Sequence, residues 1–269
     1  MTGVAPTSTL DGWVRSPFTG GGSTYDCYEK GSGPGVVLIP ELPGITPQVL
    51  GLAEHLVDEG FTVVVPSPFG VPEKEGSPGY TLRTIARICV SAEFRAFALD
   101  AKRPIAAFVR AVAADLNSRT PGAGVGVIGM CFTGGFALAA AVDDAVLASI
   151  VSQPAAPFPL GKARQADPGL SAGELDQVAA RADSVGFCAL GLRFSDDSNS
   201  PRPRFEALSR RLGDAFEVIE LDSSPGNPGG FSQRAHSVLT SEVRDTPGHP
   251  ALLARARVVA FLRTHLTPA

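Results

Sequence analysis

The stretch that decides the fold is residues 125–141, which read V-G-V-I-G-M-C-F-T-G-G-F-A-L-A-A-A. Val125, Val127 and Ile128 are typical of a buried strand, and the run of Phe, Ala and Leu after the two glycines is typical of a helix. The turn between these segments has Cys131 at its apex. A strand, a sharp turn and a helix in this order form a nucleophile elbow, usually written G-x-S-x-G. The pattern therefore predicts an exposed sulfur at the end of a strand.

An elbow of this shape suits nucleophilic chemistry. Its turn lifts the apex side chain clear of the sheet and aims the N–H of Phe132 and the helix N-terminus at the same point, where they stabilise a thiolate or a developing oxyanion. A lone cysteine in an apolar strand end is also commonly a small buried hydrophobe, so the elbow alone leaves that alternative open. Thr133 occupies the position at which the motif has its second glycine.

Length and composition favour a globular protein with a large core. The chain has 269 residues, of which 44% are apolar and 19% charged. We expect a single domain over residues 1–269, in which the Pro- and Gly-interrupted segment 152–182 forms a small lid insertion. The net charge of −4 gives no reason to expect nucleic acid or an anionic membrane as a partner.

The remaining bulk properties predict a cytoplasmic protein without a metal. No apolar run has the length of a membrane span, and the first residues do not open a signal peptide. The cysteines lack metal-binding spacing, and we expect all four to be reduced thiols: Cys27, Cys89, Cys131 and Cys188. No organic cofactor is expected either, and a monomer or a homodimer is compatible with the sequence.

Strands and helices alternate along most of the chain. A buried strand at 36–39, a helix at 47–58 and a strand at 61–65 form one unit, which predicts a mostly parallel sheet flanked by helices. The first 35 residues suggest an opening hairpin or two. Further strands are predicted at 145–151, 187–192 and 216–221, and further helices at 80–98, from 104, after a capping box at 171–174, at 201–212 and at 250–266.

Acidic residues follow the strand at 187–192. A carboxylate beyond the carboxyl end of a strand can hold a histidine in its working tautomer. We prefer Asp197 to Asp196 because it lies four residues before Pro201, which opens the next helix. An acidic pair before a helix is also common capping chemistry, so a purely local role stays open.

One histidine lies where a general base is expected. His236 follows the last predicted strand in a glycine-rich loop, and the order nucleophile, acid, histidine is that of an α/β-hydrolase fold. The remaining three histidines are predicted to be ordinary helix or cap residues: His55, His249 and His265.

Four motifs together resemble the dienelactone hydrolase family. The resemblance spans roughly residues 25–266 in element order, and it rests on Gly-Met-Cys-Phe-Thr-Gly-Gly at 129–135, Pro-Glu-Leu-Pro-Gly-Ile at 40–45, Asp-x-x-x-Pro at 197–201 and Ala-His-Ser-Val at 235–238. It implies an α/β-hydrolase fold that carries a Cys–His–Asp triad, here Cys131, His236 and Asp197.

The resemblance also implies roles for residues near the elbow. Glu41 matches a glutamate that contacts the resting thiol and changes partners when substrate enters. A glutamate that simply points to solvent is the alternative. Leu42 matches the residue whose N–H completes the oxyanion hole with that of Phe132.

Substrate recognition is where the sequence departs from the family pattern. Arg87, or alternatively Arg83, lies near the family's first arginine for a substrate carboxylate. The second arginine, four residues after the histidine, is replaced by Thr240, and Thr133 replaces an elbow glycine. The resemblance thus implies the triad but not recognition of a carboxylate.

We therefore expect a hydrolase that cleaves an ester or lactone of a small molecule. A broader carboxylesterase or thioesterase is the alternative among enzymes. A non-catalytic protein of the same fold that binds a small molecule is the alternative from another class.

Overall fold

The computed structural model describes residues 3–91, 103–155 and 161–267. Eight strands form one sheet: β1 (Val14–Gly20), β2 (Ser23–Lys30), β3 (Gly35–Ile39), β4 (Thr62–Pro66), β5 (Val125–Met130), β6 (Val146–Ser152), β7 (Cys188–Phe194) and β8 (Phe216–Leu221). The described helices are α1 (Pro47–Asp58), α2 (Pro78–Val90), α3 (Pro104–Arg119), α4 (Gly134–Ala140), α5 (Lys162–Ala166), α6 (Ala172–Val185), α7 (Arg202–Leu212) and α8 (Pro250–Leu266).

The strand order is β1-β2-β4-β3-β5-β6-β7-β8. β1 and β2 form one antiparallel hairpin, and β2 pairs antiparallel with β4. All pairs from β4 to β8 are parallel, which confirms the predicted mostly parallel sheet and the α/β-hydrolase fold class. β3 and β5 are adjacent, so their carboxyl ends lie side by side.

Helices cover both faces of the sheet. One core cluster includes residues of α3, α4, α6 and α7, and the other includes residues of α1 and α8. Because both faces are covered, β3 and β5 are buried along their whole length, as expected for strands that read as continuous apolar runs.

Local sequence explains where several helices begin. Thr46 caps α1 by accepting a hydrogen bond from the Val49 N–H, and Ser171 and Glu174 form the capping box predicted ahead of α6. α2 differs from the predicted helix at 80–98, since it begins at Pro78 behind the capping Ser77 and ends at Val90. Residues 92–98 of that prediction lie outside the described residues.

Candidate active site

Cys131 lies at the apex of a tight turn between β5 and α4. Its φ of +53° is in the left-handed region, which costs a residue with a side chain about 1–3 kcal/mol. A Cβ at Gly129 would come within 2.3 Å of the Thr133 carbonyl oxygen, so the turn requires glycine there. The Cys131 side chain is partly exposed at the top of the sheet. The strained turn thus accompanies the outward position of the sulfur.

Thr133, which departs from the elbow motif, joins the two central strands. It is fully buried, and its hydroxyl accepts a hydrogen bond from the Met130 N–H at 3.0 Å. The same hydroxyl lies 2.9 Å from the Met130 carbonyl oxygen and 3.3 Å from those of Ile39 and Pro40. A glycine could not make these contacts, so the threonine ties the elbow to the end of β3.

His236 and Asp197 form a close pair. The His236 Nδ1 lies 2.6 Å from the Asp197 Oδ2, and the Asp197 side chain is only 3% exposed. The other carboxylate oxygen accepts the N–H of Asn199 at 2.9 Å. The neighbouring Asp196 is exposed, and its carboxylate lies 3.4 Å from the amide nitrogen of Gln233. It is therefore Asp197, and not Asp196, that the fold brings to the histidine.

His236 also contacts the nucleophile candidate. Burial alone would lower the pKa of His236, but the negative charge of Cys131 and hydrogen bonds with Asp197 and Cys131 outweigh it. The net result is a pKa raised well above the ordinary value of 6.5. A raised pKa favours the imidazolium form of His236 beside Cys131, which suits nucleophilic catalysis by a cysteine.

Glu41 has partners that the sequence did not indicate. The residue is 6% exposed, and its carboxylate accepts hydrogen bonds from Gln153 Nε2 at 3.1 Å, from Ser237 Oγ at 2.8 Å and from the Thr240 hydroxyl. None of the donors to the Glu41 carboxylate among the described residues is the Cys131 thiol, so the expected contact between Glu41 and the resting thiol stays a prediction. Three hydroxyl and amide donors satisfy the carboxylate. The alternative of a solvent-facing glutamate is wrong, because the residue is buried.

Two of these partners, Gln153 and Ser237, were missed by the sequence analysis. Gln153 directly follows β6, is fully buried and has a φ of +32°. Its side-chain oxygen accepts the N–H of Val238 at 3.3 Å, which fixes the loop that carries His236. A polar residue just beyond the carboxyl end of a central parallel strand was the available signal.

One expected oxyanion donor lies within the elbow and the other in the turn after β3. Phe132 begins the turn into α4, and its buried ring packs edge-on against Phe136 with centroids 5.4 Å apart. Leu42 lies in the turn after β3, in which the Gly44 N–H donates to the Glu41 carbonyl. No acceptor for the Leu42 N–H is present among the described residues. Its role as an oxyanion donor remains a prediction.

A cavity of about 900 Å³ opens beside His236. Its described lining comes from the turn after β3, from α2 and from the histidine loop, and includes Leu42, Pro43, Thr81, Leu82, Ile85, Arg234, His236 and Ser237. Arg87 and Arg83 lie on α2 but are exposed and are not part of this lining. Their proposed contact with a substrate carboxylate therefore remains a prediction.

The other histidines lie away from the triad residues. His55 lies in α1, His265 lies in α8, and His249 is the residue at the N-terminal cap of α8. Burial lowers the pKa of all three. In the described parts of the chain, no group of three or more His, Cys, Asp or Glu side chains is arranged to hold a metal ion.

One family model matches most of the chain. The model of the dienelactone hydrolase family matches residues 23–265. The chain belongs to the dienelactone hydrolase family. The match includes the elbow, the acid loop and the histidine loop of this family member. No curated protein matches the sequence closely enough to count as a relative.

Several solved structures of low sequence identity share the fold of this family member. A dienelactone hydrolase-like promiscuous phosphotriesterase from metagenomic libraries superimposes with a TM-score of 0.64 at 16% identity, covering 94% of this chain and 98% of that one. The 2,6-dihydroxy-pseudo-oxynicotine hydrolase superimposes with a TM-score of 0.57 at 14% identity, covering 96% of this chain and 70% of that one. Est1E from Butyrivibrio proteoclasticus superimposes with a TM-score of 0.52 at 14% identity, covering 93% of this chain and 98% of that one. At these identities the likeness shows the fold alone.

Within residues 3–91, 103–155 and 161–267, no helix is both long enough and apolar enough to cross a bilayer.

Proposed function

We propose that this protein hydrolyses a carboxylic ester or lactone with Cys131 as nucleophile, His236 as general acid and base, and Asp197 as the group that orients His236. The observation that carries the proposal is the 2.6 Å pair of His236 and Asp197 next to a cysteine in a strained, outward-facing turn. A histidine paired to a carboxylate on one nitrogen can exchange a proton with a nucleophile on the other.

The first half-reaction forms an acyl-enzyme. The Cys131 thiolate attacks the carbonyl carbon, and the electron pair of the C=O bond moves to the oxygen. The N–H groups of Leu42 and Phe132 would bind this oxyanion, as in other acyl-transfer sites. When the intermediate collapses, the C–O bond of the ester breaks, and the leaving alkoxide takes a proton from the His236 imidazolium.

The second half-reaction regenerates the thiolate. Neutral His236 removes a proton from water, which attacks the thioester carbon to form a second tetrahedral intermediate. The C–S bond then breaks, the acid product leaves, and the proton stays with His236 beside the Cys131 thiolate. Asp197 stabilises the imidazolium in both halves without itself taking the proton.

The surroundings of Thr240 support a substrate without an essential carboxylate. Its hydroxyl donates to the buried Glu41, so the position offers no positive charge to a ligand. The described cavity lining contains Arg234 and the His236 imidazolium of the proposed mechanism, together with the acidic Glu41 and Glu75. We therefore propose neutral esters or lactones as the preferred class.

The test is a panel of neutral lactones, aryl esters, thioesters and an aryl phosphotriester, assayed with the wild-type protein and with Cys131→Ala. We expect ester or lactone turnover that falls at least about 1,000-fold in the variant, since removal of a triad nucleophile has losses of that order or larger. Cys89→Ala is the control, because Cys89 is also a partly exposed thiol.

Iodoacetamide provides an independent measurement. Alkylation of Cys131 should proceed to one equivalent and abolish turnover, and Cys89→Ala should behave as wild type does. Near-normal turnover in Cys131→Ala on every active substrate would refute the nucleophile assignment. Tight binding of panel compounds without any turnover would favour the non-catalytic binding protein.

A further inference from the structure

Arg204 is a buried cation that neither the triad nor the cavity explains. It lies in the first turn of α7 and is 2% exposed. Its guanidinium donates hydrogen bonds to three backbone carbonyls: Nε to Asp167 at 2.6 Å, Nη2 to Arg164 at 2.9 Å, and Nη1 to Pro154. A planar guanidinium can hold three separate chain segments in one fixed geometry, which a lysine ammonium cannot reproduce.

One of these carbonyls belongs to a peptide that also touches the nucleophile. The Pro154 C=O accepts from Arg204, and the N–H of the following residue, Ala155, donates to the Cys131 carbonyl at 2.9 Å. A Cβ at Gly134 would come within 2.8 Å of the Pro154 Cβ, so the start of α4 packs directly against the same peptide. The guanidinium is therefore one peptide unit away from the backbone of Cys131.

The charge of Arg204 is not neutralised by a direct ion pair. Within the described residues, no carboxylate lies at ion-pair distance from its guanidinium, and the nearby Asp167 pairs with Arg103 at 3.9 Å. Burial lowers the pKa of Arg204 to about 10, against the opposing influence of Asp167, Asp197 and Cys131. A buried cation without a direct partner favours negative charge in its surroundings, and Cys131 lies within its field.

We propose that Arg204 is a positioning residue for the hydrolysis at Cys131. It fixes the Pro154–Ala155 peptide, and this peptide holds the Cys131 carbonyl so that the turn keeps its strained φ and the sulfur stays aligned with His236. The proposal rests on the function proposed above. Nothing in it requires Arg204 to touch the substrate.

Arg181 provides a control with similar backbone contacts, although its guanidinium also lies 3.4 Å from the Asp144 carboxylate. It is another buried arginine, 9% exposed, and its guanidinium also donates to three backbone carbonyls: those of Ala141, Asp144 and Val146. These lie beyond the carboxyl end of α4, away from Cys131. Loss of either guanidinium leaves buried carbonyls without a donor, but only one set of carbonyls is linked to the nucleophile.

The experiment compares Arg204→Lys and Arg204→Met with Arg181→Lys and Arg181→Met. For each variant, kcat, KM, the free energy of unfolding and the rate of Cys131 alkylation by iodoacetamide are measured, the last by mass spectrometry of the Cys131 peptide. We expect kcat to fall about 10- to 100-fold in both Arg204 variants with KM little changed, since a misplacement of about 1 Å can cost on the order of 100-fold. Cys131 alkylation should slow as well.

Arg181 variants should lose stability to a similar degree but keep the wild-type kcat and alkylation rate per folded molecule. Equal kcat values in the Arg204 and Arg181 series would overturn the proposal. So would failure of both Arg204 variants to fold, which would make the residue a structural one. If Cys131→Ala kept its turnover, the proposed function would fail, whereas the alkylation rate would still report on Arg204.

Discussion

Replacing Asp197 by Asn removes the charge beside His236 while keeping the size of the side chain. In the native protein, one carboxylate oxygen accepts the Asn199 N–H at 2.9 Å and the other lies 2.6 Å from His236 Nδ1. The asparagine must keep its oxygen toward the Asn199 N–H, because an amide nitrogen cannot accept that bond. Its NH₂ group then faces the histidine.

The consequence is an inverted histidine tautomer. Nδ1 must accept a hydrogen bond from the new amide, so the ring proton moves to Nε2, the nitrogen left to face Cys131. A histidine protonated there cannot take the proton of the thiol. Tautomer inversion of this kind in a hydrolase triad costs about 10⁴-fold in kcat, which corresponds to about 5 kcal/mol of activation free energy.

The assay is steady-state hydrolysis of the best panel ester, with Asp196→Asn as a neighbouring control. Asp196 is exposed, and its carboxylate lies 3.4 Å from the Gln233 amide nitrogen, so its replacement should leave kcat within about twofold, as expected for a surface substitution. A slow Asp196→Asn together with a normal Asp197→Asn would refute the reasoning. An equal fall in kcat for Asp196→Asn and Asp197→Asn would refute it as well.

Three further outcomes are expected. Thr240→Val should lower the free energy of unfolding by about 1.5–3 kcal/mol, because the buried Glu41 carboxylate loses a donor. The control Thr264→Val, on the exposed side of α8, should change it by no more than about 0.5 kcal/mol. Equal losses of unfolding free energy in urea titrations of the two variants would contradict this prediction. Thr133→Val should cost about 1–3 kcal/mol and lower Tm by about 2–4 °C per kcal/mol, with Thr133→Ser nearly unchanged in calorimetry. A Ser variant as unstable as the Val variant would count against the hydroxyl link. The pKa of His236 in the folded state is raised above 6.5, so the contribution of His236 to the free energy of unfolding should be complete below pH 6.5 and decline as the pH rises through the folded-state pKa. If the difference in unfolding free energy between wild type and His236→Asn widened at alkaline pH, the direction of this pKa shift would be wrong.

The parallel sheet and the family could be predicted from the sequence because several segments of the chain carry the same kind of pattern. A short continuous apolar run such as the one in β3, bounded by glycine and proline, is typical of a strand buried on both faces, and the elbow combines a strand, a turn and a helix within 17 residues. The family match and the fold confirm these predictions. Helix bounds were less predictable: the Ser77-Pro78 start of α2 was not recognised, although serine before proline is a common helix opening.

The surroundings of Glu41 and Arg204 could not be predicted in the same way. The three donors to Glu41 come from two distant segments of the chain, and only the folded sheet brings them together. Arg204 bonds to backbone carbonyls, which every residue carries, so its partners leave no trace in the sequence. An arginine that reads as a surface residue of α7 is in fact one of its most buried side chains.

The order of the triad along the chain affects how the protein is made. Cys131 leaves the ribosome more than a hundred residues before His236, because their segments are that far apart in sequence. At about 5–20 residues per second, this interval lasts roughly 5 to 20 s. During that time the elbow strand can form, but the base that the proposed mechanism requires has not yet been made. The triad is therefore complete only once β8 and the loop that follows it have been synthesised and have folded.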